Sequence, residues 1–193
     1  MAAIHDKAAV AEWLKQRLTE RRFRHVLGVV ETGKRLARRY GADEEKAETA
    51  ALFHDSFRDE PGGVLKRLAE ACGVDEKYRG NRNLSHGKVA AAFMEAEYGV
   101  ADQDVLNAVK YHTTGRAGMS ALEKVIYLAD AIEPSRDYPG VEELRRIAES
   151  DLDLACERSL ENSVRHIEAK GEFMDEDTLN ALAWLKGRRG DTV

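Results

Sequence analysis

The feature that most constrains this chain is the period of its apolar residues. Between residues 22 and 40, Val26, Val29, Val30, Gly33, Leu36 and Tyr40 recur at spacings of three and four. That is one core-facing stripe of an amphipathic helix. Lys34, Arg35, Arg38 and Arg39 fall on the other faces and read as a solvated surface. The same period predicts further helices over 6–20, 44–58, 63–72, 86–98, 102–113, 119–133, 141–149, 151–170 and 176–186. Gly41 is placed to close the second helix and Asp43 to open the third, with Lys46 where a capping box would put Glu. Pro61 and two glycines stop the third helix. Ser85, Ser120, Asp151 and Asp175 are placed as N-caps of later ones. No alternating run of strand length and no Asn-Gly or Asp-Gly hairpin turn interrupts the pattern. The expected fold is all-α, a single domain over residues 1–193 with eight to ten helices and a frayed tail, KGRRGDTV.

Composition sets the limits around that fold. A chain of 193 residues that is 43% hydrophobic can bury a substantial core. A net charge of −5 argues against a nucleic-acid binder, which would carry a basic face. No run approaches the length of apolar residues a membrane helix needs, and the start, MAAIHDKAAVAEW, lacks the apolar stretch of a signal peptide. Cys72 and Cys156 form no CxxC and are expected to be reduced and buried. A cytoplasmic protein is expected.

Polar residues then stand out on the apolar faces. His25 begins a row with Val29, Thr32 and Leu36. His54 shares a face with Ala47, Ala50 and Ala51. His86 leads Val89, Ala90 and Phe93, and His112 follows Val105 and Val109. Asp130, in VIYLADAIEP, lines up with Leu122 and Ile126. Each of these side chains is expected to point inward. A single inward histidine is usually a hydrogen-bonded core residue. Four of them, with Asp55 and Asp130, ask for a common partner, because a buried unpaired carboxylate is very costly. Imidazole with carboxylate suits divalent iron, manganese or zinc. His5 and His166 have charged or terminal surroundings and are read as structural or surface residues.

The order His25, His54-Asp55, His86, His112, Asp130 resembles the HD superfamily of metal-dependent phosphohydrolases. A longer match is more specific. The segments YHTTGR, LEKVIYLAD and EPSRDYPGV, with the earlier RFRHVLGV, AALFHD and LSHGKVAA, resemble the YqeK-type symmetrical bis(5'-nucleosyl)-tetraphosphatases, from about residue 20 to 165. The resemblance implies an HD fold with a two-metal centre, iron first and manganese compatible. His25, His54, Asp55 and Asp130 would hold one ion, and His86 and His112 the second, with Asp55 bridging. One departure falls after the His-Asp pair. Where the family has a small residue and then lysine, this chain has Ser56-Phe57-Arg58. Arg58 keeps the charge but is bulkier and stays protonated; Phe57 could narrow the pocket or rotate the turn.

The implied reaction is metal-dependent hydrolysis of diadenosine tetraphosphate to two ADP by a metal-activated bridging water. Asp55, Arg58, His86 and His112 are the expected catalytic residues. Arg58, Thr113, Arg116 and Arg136 are the expected substrate contacts, since arginines on loops suit phosphate oxygens. Residues 169–182 are placed to close over the nucleotide. The expected partner is a small nucleotide, with no nucleic acid and no membrane, and a homodimer is compatible. A mononucleotide hydrolase on the same metals, a nucleotide-binding regulator and a purely structural helical protein stay open as alternatives.

Overall fold

The computed structural model describes residues 6–190, with side chains described through residue 188; His5 lies outside the described residues. The described residues form eleven helices and no strand. They are α1 (Lys7–Arg17), α2 (Glu20–Tyr40), α3 (Glu44–Phe53), α4 (Gly62–Ala71), α5 (Glu76–Arg79), α6 (Arg82–Tyr98), α7 (Gln103–Lys110), α8 (Ala121–Ile132), α9 (Val141–Ala148), α10 (Leu152–Lys170) and α11 (Glu176–Gly190). The helix beyond the ten expected is α5. Its four residues are too few to show a period, and Asp75 caps it by accepting from the Lys77 amide.

Helix α2 is the spine. It packs on α3 and α8, which are joined in turn by α7, while α6 packs on α7 and α4. Helix α10 supports α8 from behind, with α9 and α11 against it. One apolar cluster runs from Val10 and Leu14 of α1 through Leu36, Phe53, Met94, Ile126 and Leu160 to Leu185 of α11. Gly41 ends α2 at φ +70°, a left-handed cap that glycine adopts without cost. Ser120 and Glu123 form a capping box on α8, and Asp43 accepts from the Glu45 and Lys46 amides. No helix of the described residues is long and apolar enough to cross a membrane.

Several boundaries differ from expectation, and the differences build the site. Helix α3 stops at Phe53, not near 58, and His54 to Asp59 continue in tight turns closed by Ser56 N–Phe53 O (3.1 Å) and Arg58 N–Asp55 O (2.9 Å). Helix α7 stops at Lys110, so His112 also stands in a turn. Helix α6 starts at Arg82, capped by Asn81, whose side chain accepts from the Asn83 amide. Ser85 is therefore buried within the helix instead of capping it. Residues 187–190 extend α11 where fraying was expected. Cys156 is buried but Cys72, at the end of α4, is exposed; both are free thiols.

Phe57 turns away from any pocket. It is 4% exposed and packs edge-on to Phe93 (5.1 Å between centroids), which stacks flat on Trp13 of α1 (5.3 Å). Phe57 thus anchors the N-terminal helix, while Arg58 alone of this departure lines the cavity beside the turn.

Candidate metal centre

The two turns and three helices bring six ligand-type side chains together. Their donor atoms form two groups, each within 4.8 Å: His25, His54 and Asp130, and Asp55, His86 and His112. The groups touch through Asp55. Its Oδ1 lies 3.0 Å from His86 Nε2 and 3.9 Å from His112 Nε2, and its Oδ2 lies 3.5 Å from His25 Nε2 and 3.6 Å from His54 Nε2. A carboxylate with one oxygen toward each group is placed to bridge them. Asp55 is buried; Asp130, expected to be buried too, is 21% exposed, because it lines the open side.

The imidazoles are oriented from outside. His54 Nδ1 donates to Ala51 O (2.6 Å), His86 Nδ1 to Arg82 O (2.8 Å) and His112 Nδ1 to Val109 O (2.7 Å). His25 Nδ1 lies 2.9 Å from Glu133 Oε1. A proton held at Nδ1 leaves each Nε2 lone pair for the centre. There they converge: His86 and His112 Nε2 are 3.0 Å apart, and His25 and His54 Nε2 are 3.3 Å apart. So many acceptors at such distances require positive charge between them. Ring protonation or bound cations are the two ways to supply it, and the donor set fits divalent metal ions.

Electrostatics follow the same arrangement. Burial lowers the His54 pKa, and burial together with the facing rings of His86 and His54 brings His112 down to about 3. Burial also lowers His25, but Asp130 and Glu133 outweigh it, so its pKa is raised. Burial would raise Asp55 and Asp130; the surrounding histidines, and for Asp130 also Arg136, hold both well below the usual carboxylate range.

Glycines make room for this packing. A Cβ on Gly87 would lie 2.7 Å from Val109 O and 2.9 Å from the His112 ring. One on Gly28 would lie 2.5 Å from Glu133 Oε2.

The expected substrate residues divide. Arg136 donates from Nε to Asp130 O (2.7 Å) and pairs through Nη2 with the Asp130 carboxylate, at the mouth of the centre. Arg58 presents a buried Nη1 without a hydrogen-bond partner. Thr113 Oγ1 is 3.2 Å from His112 Nε2. Arg58 and Thr113 line a cavity of about 270 Å³ that continues to Ser163, His166 and Phe173, so His166, read as a surface residue, faces it. Glu172, Phe173, Asp175 and Thr178, from the segment expected to cover a nucleotide, form its far wall. Arg116 stands apart, held by two bonds to Glu123 (2.7 and 2.6 Å).

Three site residues escaped the sequence reading. Glu133, 1% exposed, supports His25 and accepts from Ser135 N (2.7 Å) and Oγ. Arg22 donates to Asp55 Oδ2 (2.7 Å). Arg145 grips the loop after α8 through Ile132 O (2.9 Å), Glu133 O (2.8 Å) and Arg136 O (2.9 Å).

A helical bundle with paired His/Asp clusters at its centre defines a class, and the comparison with known families agrees: the chain belongs to the HD domain family, which matches residues 22–135. Within it, the chain is 43% identical over 177 residues to a Bacillus subtilis protein named bis(5'-nucleosyl)-tetraphosphatase, symmetrical, covering 89% of this chain and 93% of that one. A Halalkalibacterium halodurans protein of the same name is 41% identical over 176 residues, covering 90% and 94%. A crystal structure from Clostridium acetobutylicum, titled as a "predicted HD superfamily hydrolase involved in NAD metabolism", superposes with a TM-score of 0.89 at 38% identity, over 94% of this chain and 97% of that one.

Proposed function

We infer that this chain is a hydrolase that cleaves diadenosine tetraphosphate symmetrically to two ADP, as the names of its Bacillus and Halalkalibacterium relatives describe for those proteins. The observation that carries the reading is the convergence of four Nε2 atoms and two carboxylates on one buried centre. In this reading His25, His54, Asp55 and Asp130 hold one divalent ion, and Asp55, His86 and His112 the second, with iron the first candidate and manganese compatible. Bound ions would supply Lewis acidity toward phosphoryl oxygens and lower the pKa of an attacking water.

The chain's own residues do the rest. The Nδ1 bonds to Ala51, Arg82 and Val109 and to Glu133 fix each ring so that only Nε2 faces the reacting atoms. Arg136 at the mouth and the free Nη1 of Arg58 provide donors for the charge that spreads over the phosphoryl oxygens. Thr113 offers its hydroxyl beside them. Arg116 would join only on leaving Glu123. The cavity past Thr113 and Arg58 receives one adenosine end, with Phe173, 53% exposed, as a surface for the base. Water adds to one inner phosphorus, the bond to the oxygen bridging the two inner phosphates breaks, and each product keeps two phosphates.

The test is product analysis by chromatography after anaerobic loading with ferrous iron and addition of diadenosine tetraphosphate. ADP as sole product, lost in His54→Ala, is the expected result. ATP with AMP, or intact substrate beside hydrolysis of mononucleotides, would overturn the substrate assignment.

A further inference from the structure

Lys88 follows His86 and Gly87 on α6, but about 200° around the helix from His86 it faces the other side. It is 8% exposed. Among the described residues no carboxylate lies within 4.0 Å of its Nζ. Its close neighbours are aromatic faces: Nζ is 4.4 Å from the Tyr78 centroid and 5.2 Å from that of Tyr111. Cation–π contact offsets only part of the cost of burying an ammonium and gives its three N–H donors no hydrogen-bond acceptor.

This side chain opens into a cavity of about 420 Å³ between α5, α6, α7 and the start of α11. Two more lysines stand over the same rings, Lys77 at 4.9 Å from Tyr78 and Lys110 at 5.2 Å from Tyr111. Of the acids lining the cavity, Asp75 is occupied in capping α5, Glu95 is exposed, and Asp177 sits at the rim with a pKa raised by burial and by Asp175. The volume is that of a small-molecule site.

We propose that this outer cavity is a second binding site, for the phosphate group of a small phosphorylated molecule, with Lys88 as its inner anchor and Lys77 and Lys110 at its rim. Three ammonium groups around one pocket match the several oxygens of a phosphate, and charge-assisted hydrogen bonds replace the donors' lost hydration. The phosphate could be free or carried by a nucleotide. The site stands on residues separate from the metal centre, so it holds or fails independently of the proposed reaction.

The experiment is calorimetric titration of the full chain, stripped of metal by a chelator that is then removed, with pyrophosphate and separately with ADP. Lys88→Met is expected to weaken binding roughly tenfold to a hundredfold, Asp177→Asn to strengthen it, and Arg58→Met, which removes a phosphate donor of the main site, to leave the Lys88-dependent part of the binding in place. ADP binding more tightly than pyrophosphate assigns a nucleotide; equal affinities assign free phosphate. Binding that survives Lys88→Met but disappears in Arg58→Met puts the anion at the metal centre and overturns the proposal. So does Asp177→Asn that binds no more tightly than wild type, which would mean the anion does not sit in this cavity beside Asp177. That variant keeps the test open should Lys88→Met fail to fold.

Discussion

Glu133 supports a proposed metal ligand without being one, and its replacement by glutamine tests that role. The carboxylate accepts from His25 Nδ1, Ser135 N and Ser135 Oγ. Glutamine has one acceptor oxygen and one N–H₂ group. Either way the amide sits, a donor faces His25 Nδ1–H or Ser135 N–H, and one buried donor is left unsatisfied at a cost of about 1–3 kcal/mol. At this chain length that lowers Tm of the metal-free protein by roughly 2–4 °C per kcal/mol. The larger effect is on His25, which in either orientation loses the anionic partner that makes it a better ligand and, with the amide turned, also the acceptor that fixes its tautomer; a fall of about 10–100-fold in metal affinity is expected. Competition against a chromophoric chelator for Mn²⁺ measures the affinity, and calorimetric melting measures the stability. Gly28→Ala is the companion. Within a helix this exchange normally gains up to about 1 kcal/mol, but here the new Cβ would lie 2.5 Å from Glu133 Oε2. It should therefore weaken metal binding in the same direction. Wild-type metal affinity in Glu133→Gln, whatever its Tm, would refute the argument that Glu133 acts through His25.

Gly87→Ala would push α6 from Val109 O and the His112 ring; a destabilisation of about 1–3 kcal/mol with loss of metal binding is expected, read by melting and metal titration. Phe57→Ala should cost about 3–5 kcal/mol in denaturant unfolding while leaving KM for the dinucleotide unchanged, since the ring packs under α1. Glu48 bridges Lys7 of α1 and Lys34 of α2 (2.8 and 3.0 Å); burial opposes its ionisation, yet the lysines win and its pKa falls below the ordinary 4.5. A lowered carboxylate pKa stabilises above the unfolded value and is lost as pH falls through the folded one. Glu48→Gln should therefore cost at most about 1 kcal/mol at neutral pH, and its difference from wild type should vanish in urea titrations taken progressively below pH 4.5.

The six side chains that converge were legible because inward histidines on apolar stripes are rare and costly. What the sequence hid was mostly chain geometry. Periodicity runs on through His54–Arg58 and Tyr111–Thr113, where the backbone closes i to i+3 turns, so the helix ends were overrun. Asn81 caps α6 as well as Ser85 could have, and only burial of Ser85 decides between them. Two missed residues did carry a signal. Glu133 lies three residues after Asp130, and Arg22 three before His25, on faces already marked as inward. Arg145 gave none, because its partners are backbone carbonyls of another segment. Lys88 broke the apolar pattern of α6 within LSHGKVAA, but its aromatic neighbours, Tyr78 on α5 and Tyr111 just past α7, lie on the elements before and after α6, and periodicity within one helix does not show them.

The central claim is that four imidazoles and two carboxylates converge here to hold divalent metal. Anaerobic titration of the metal-free full chain with Fe²⁺, followed by ion counting after gel filtration, tests it most directly. The account predicts two ions per chain for wild type and a reduced count in both His54→Ala and His112→Ala, one from each ligand group. Wild-type protein that retains no ion, or a count unchanged in both variants, would contradict it.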